Sequence, residues 1–143
     1  MNRRRLGERG SVSLELAILA PALLLLLGFA IFAGRTVIAD NAVQEAARAA
    51  ARSASIAVDQ STASVAAQES AASTLAVQDL ACAPLSVVVD TSGFSAPIGT
   101  PSQVSVTVTC TVSMGDLLLP GLPGSKTVTA TFVSPIDSYR QRT

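Results

Sequence analysis

The chain contains no histidine, no tryptophan, one tyrosine and two cysteines. Without imidazole there is no histidine base for a serine or cysteine nucleophile, and two cysteines alone make no zinc site. Asp40, Glu45, Asp59, Glu69, Asp79, Asp90, Asp116 and Asp137 are dispersed, with neither a catalytic pair nor the spacing of a calcium loop. There is no glycine-rich phosphate loop either. The residues therefore point to no enzyme chemistry, no metal and no cofactor. Arg48, Arg52, Lys126, Arg140 and Arg142 are scattered, so no direct nucleic-acid partner is expected. Aromatic residues make up 3% of the chain, which leaves any core to Val, Leu, Ile and Ala. Such a core is thin, and a covalent staple would help it.

What the chain has instead is one long apolar run. The mean hydropathy of +0.48 is high for a soluble domain, and the excess is local. Leu16 to Gly34 is 19 residues without a charge, and a helix of about 20 residues spans a bilayer core. Arg3, Arg4, Arg5 and Arg9 crowd the stub in front of it, opposed only by Glu8. By the positive-inside rule the N-terminus stays in the cytoplasm and the bulk of the chain goes outward. The remaining 108 or so residues (143 less 35) suffice for one small domain.

Beyond Arg35 the helix is expected to continue. Thr36 to Ser55 is rich in alanine, the best helix former, and has no Pro or Gly. Ala39, Val43, Ala46 and Ala50 recur at helical spacing as a narrow seam, with Asp40, Gln44, Arg48 and Arg52 on the other side. A second helix is predicted over 62–81, with Val65, Ala66, Ala72, Leu75, Ala76 and Val77 as its weak stripe. After Pro84 the pattern turns to β: a strand over 85–90, an alternating strand over 103–112 and a third over 127–133. Val104, Val106, Val108, Cys110 and Val112 share one face of the middle strand. The leucine-rich loop 117–124 reads either as an exposed contact surface or as a segment tucked under the sheet. Ser134 to Thr143 reads as a polar tail. The fold class is α+β: a long N-terminal transmembrane helix continuing outward, a second helix, then a small three-stranded antiparallel sheet.

Four further residues carry choices. Outside the cytoplasm Cys82 and Cys110 would form a disulfide, the competing reading being two buried thiols. Pro21 inside the span is either a tolerated kink or a packing feature. Glu15 is either the last headgroup residue before the span or an acid that needs a positive partner. A carboxylate in mid-bilayer costs roughly 2.5–3.5 kcal/mol on the insertion scale, less near the lip.

The stretch Arg9-Gly10-Ser11-Val12-Ser13-Leu14-Glu15-Leu16-Ala17-Ile18-Leu19-Ala20-Pro21, running on through leucines to Gly28, resembles the start of TadE-like proteins. These are pseudopilin-like components of tight-adherence (Flp) pilus systems. The resemblance covers about 45 residues from Arg9 onward. It implies a precursor whose leader is removed by a prepilin-type peptidase, with Gly10 the last leader residue and Ser11 the new N-terminus. Glu15 would be the acid at position five, one helical turn from the new amine. The implied role is a minor pilin that assists assembly of the pilus, with membrane lipid, the peptidase and other pilin subunits as partners, in a bacterial cytoplasmic membrane. The implied division is 1–10 leader, 11–35 transmembrane helix, 36–81 extracytoplasmic helical region and 82–143 β domain with its tail. Two other readings fit the residues: a secreted binding module with a signal peptide cleaved near Ala33, and an uncleaved single-pass scaffold.

Overall fold

A computed structural model describes residues 9–115, 121 and 123–139, with only the backbone described for 9–14. The rest of the leader stub, most of the leucine loop and the end of the tail lie outside the described residues. Helix α1 runs unbroken from Arg9 to Ser55, passing through Pro21. Its 47 residues extend about 70 Å at 1.5 Å per residue. Ser55 closes it, donating its hydroxyl to the Arg52 carbonyl at 2.8 Å. After a short turn the chain doubles back as α2, Gln60–Val77.

Asp59 caps α2. Its carboxylate accepts from the Thr62 backbone N–H at 2.8 Å and from the hydroxyls of Ser61 and Thr62 at 2.6 and 3.0 Å. Those donors, the Ser61 hydroxyl foremost, hold its pKa down at about 2 against the usual 3.8. The other end of α2 closes as a Schellman turn. The Leu80 N–H reaches back to the Leu75 carbonyl at 3.0 Å and the Asp79 N–H to Ala76 at 3.1 Å. Asp79 sits between them in the left-handed region, with φ of 54°.

The sheet is an antiparallel meander of β1 (Leu85–Asp90), β2 (Ser102–Ser113) and β3 (Ser125–Ile136), with β2 in the centre. Its register sets Val87 against Val108 and Val108 against Ala130, so these apolar residues face the same way. Val104, Val106, Val108 and Cys110 are fully buried beneath the helices. The opposite face carries three threonine pairs joined by their hydroxyls, Thr107–Thr131, Thr109–Thr129 and Thr111–Thr127, at 2.9–3.2 Å. Between β1 and β2 lies a 3₁₀ turn, Ser92–Ser95, that buries Phe94. A Cβ on Gly93 would run into the backbone carbonyl of Gln103, so this close approach requires glycine.

The α1 contact is wider than the expected seam. Ala39, Ala42, Val43, Ala46, Ala47, Ala50, Ala51 and Ala54 are all buried, because α1 packs on α2 and on the β2–β3 half of the sheet at once. In α2 the buried residues are Ala63, Ala67, Ala71 and Leu75, while Val65 and Val77 are exposed. The helix also stops at Val77, short of 81. Of the stripe expected from the sequence only Leu75 is buried. Valines and alanines are spread around α2, so its partners select the face. The third strand also runs on beyond Val133, and Ile136 is buried within what reads as a polar tail. Pro135 is tolerated there because β3 is an edge strand.

Asp40, expected on the outer side of α1, is engaged by the sheet. The Lys126 ammonium donates to both its carboxylate oxygens, at 2.9 and 3.1 Å. Further along, Ser134 donates to Ser55 at 3.0 Å. These two contacts show that α1 and β3 run in the same direction.

Candidate membrane and assembly segment

Residues 15–38 of α1 are mostly apolar, and none of them is buried within the chain. Leu16, Ile18, Leu19, Leu23 to Leu27, Phe29, Ile31, Val37 and Ile38 all stand exposed, and from Glu15 onward Ala39 is the first buried residue of the helix. The most apolar window of this segment has a mean hydropathy of 2.7, and none of it is buried within the chain. A soluble protein that exposed so many large side chains in one run would aggregate, so this surface calls for lipid or other helices. Twenty-four residues extend about 36 Å, enough for the hydrocarbon core and part of one headgroup layer.

Gly10 and Ser11 lie in the first turn of α1. Glu15 follows one turn later, its side chain exposed. Among the described residues it has no hydrogen-bond or ion-pair partner. Pro21 lies six residues beyond Glu15 in the same exposed segment. One helix thus carries all four in a row, without folding them together.

The two cysteines are brought together. Cys82 and Cys110 form a disulfide with their Cα atoms 5.1 Å apart, 28 residues apart in the chain. It ties the segment after α2 to the buried face of β2. Next to it, the Ala83 N–H donates to the Thr111 carbonyl at 2.9 Å and the Thr111 N–H to the Pro84 carbonyl at 3.2 Å. Closing a loop of this length stabilises by about 3–4 kcal/mol in the chain-entropy model.

At the end of the domain where α1 leaves it, a cleft of about 290 Å³ opens between α1, the α2–β1 turn and the end of β2. Arg35, Ile38, Asp79, Leu80, Val112 and Met114 line it. No sequence pattern marks this grouping, since its members lie on three separate elements. The one local hint is Gln78-Asp79-Leu80, a helix stop with no glycine at the left-handed position. The Arg48 guanidinium lies 4.9 Å from the Phe132 ring centre and makes a weak surface pair with Glu45 at 3.6 Å.

Among the described residues, an α+β domain is carried on a helix with one candidate membrane span, the arrangement of a membrane-anchored protein. Residues 10–52 match the model of the family described as TadE-like protein. That match takes in α1 almost from end to end and stops short of α2 and the sheet. No curated protein and no solved structure matches the chain.

Proposed function

We propose that this chain is a minor pilin, or pseudopilin, that assists assembly of a tight-adherence pilus after its leader is cut behind Gly10. The observation that carries this reading is the two-part helix. No residue from 15 to 38 of α1 is buried within the chain, while residues 39–55 contribute the buried alanines of the core. A subunit built this way stays in the bilayer through its lower half and enters an assembly by exchanging lipid for neighbouring helices. The TadE-like match over the same helix supports it.

In this reading residues 1–10 are the leader, 11–35 the span and the rest extracytoplasmic, with the basic stub on the cytoplasmic side. A prepilin-type peptidase frees the Ser11 amine. Glu15 lies four residues on, about 6 Å along the axis. The carboxylate pairs with that amine on its own chain or a neighbour's, cancelling two charges at the lip of the bilayer and setting the axial register between subunits. Pro21 frees one backbone carbonyl a turn back, which adjacent helices would cover.

One observation favours a second reading. Burial starts at Ala39, so a chain cut near Ala33 would keep every core residue and could be released as a soluble module. The N-terminal sequence and intact mass of the chain taken from its own membranes separate these outcomes. A start at Ser11 is expected. A start near Gly34 would make it a secreted domain, and an intact Met1 would make it an uncleaved scaffold.

A further inference from the structure

The domain has no spacer between itself and the apolar run. Gly34 ends the uncharged stretch and Ala39 is already buried, a separation of about 7 Å along the helix. The headgroup layer on one side of a bilayer is about 5–7 Å thick. If α1 spans the membrane, the lower end of the domain, with its cleft, therefore sits among headgroups.

The cleft has the chemistry of a particular headgroup. Arg35 and Asp79 bring opposite charges to it from different elements, while Ile38, Leu80, Val112 and Met114 supply apolar wall. Arg35 is engaged in an interaction within the chain, which helps to hold it in place. Asp79 occupies a left-handed position where glycine costs least. The acid is thus kept at the cleft at some expense to the turn. The space is roughly that of ten water molecules, enough for a headgroup and too little for a whole lipid.

We propose that this cleft binds the headgroup of a zwitterionic phospholipid with a primary ammonium, the phosphatidylethanolamine chemistry. Arg35 takes the phosphate and Asp79 the ammonium, and the glycerol end of the acyl chains runs along Ile38 and Leu80. Ammonium N–H groups can donate to a carboxylate, whereas a trimethylated choline cannot. A choline would instead need an aromatic cage, and no aromatic among the described residues lines this cleft. A glycerol headgroup offers Asp79 no positive charge. This site rests on the membrane-anchored reading of α1.

The test uses the full-length chain in vesicles of equimolar phosphatidylethanolamine, phosphatidylcholine and phosphatidylglycerol. Flotation is measured first, then native mass spectrometry of the lipid retained on the released protein. The wild type should float and retain phosphatidylethanolamine about tenfold over either competitor, the worth of one charge-assisted hydrogen bond. Asp79→Asn and Asp79→Gly should both float and lose that preference, although Asp79→Gly melts no lower than wild type because its turn is relieved. A wild type that floats without preference would overturn the site alone, as would a preference that survives both substitutions. A chain that fails to float would overturn the anchor reading and the site with it.

Discussion

Two stretches of one helix obey opposite rules. In residues 15–38 of α1 the large apolar side chains are exposed, and in residues 39–55 the smallest ones are buried. The backbone is continuous across the change. What differs is the surroundings that each half is built for. Leucine suits lipid, where bulk is accommodated by fluid chains. Alanine suits a helix wedged between α2 and a sheet, where side-chain volume sets how near the backbones come. The buried half consequently gains little from each side chain, at roughly 25 cal/mol per Å² of apolar area. Its stability leans on the valines of β2 and on the disulfide, while the exposed half contributes nothing to the domain's own core.

The largest expected effect follows from that division. Reducing the Cys82–Cys110 bond, or replacing Cys82→Ser and Cys110→Ser together, should cost the domain about 3–4 kcal/mol. Denaturant unfolding of the detergent-solubilised chain reads it, and partition of the chain into membranes should not change. Equal unfolding midpoints for the oxidised and reduced forms would show that the alanine core stands without its staple.

A pair of opposite substitutions tests the comparison directly. Ala50→Leu puts a leucine where the core has no room and should destabilise the domain by about 1–3 kcal/mol. Leu24→Ala, at an exposed site of the lower half, should leave domain melting where it is. If both shifted the melt alike, the two halves would not be independent.

The smallest effect is pH-dependent. The Asp59 carboxyl titrates at about 2 in the fold against the usual 3.8. Its folded pKa is depressed, so its stabilisation is complete above the ordinary value and is lost as pH falls from about 4 through about 2. Melting followed by helix content should show this acid slope in wild type. In Asp59→Asn, which keeps a cap acceptor but no charge, the share of the slope due to this group should vanish.

Some elements were legible in the residues and others were not, for reasons that differ between regions. The first strand is expected over 85–90 and found at Leu85–Asp90, since Pro84 before it and Gly93 after it punctuate a short valine run. The middle strand declares its buried face by alternation from Val104 to Val112. In α2 the pattern is uninformative: alanine and serine fit either side of a helix, so Val65 and Val77 attract attention and turn out exposed. The third strand was legible only in its middle, because the serine and proline after Val133 look like a tail until an edge position accommodates them. For the candidate sites, Gly10, Ser11, Glu15 and Pro21 are visible because their spacing lies along one helix. The Arg35–Asp79 cleft is invisible because it joins residues 44 positions apart (79 less 35).

By itself the sequence determined whatever depends on neighbours in the chain: a membrane-length helix, its alanine-rich continuation, the strands and the placing of an acid before the span. Local spacing and hydropathy suffice for these, because helices and strands carry their periods in their own residues. Only the tertiary structure decided which alanines of α1 and α2 are buried, that Asp40 meets Lys126, that Cys82 reaches Cys110 and that a charged cleft opens where α1 leaves the domain. Those contacts join residues that are distant in the chain, and they form when two helices close over one face of a twisted sheet. No local pattern carries that geometry.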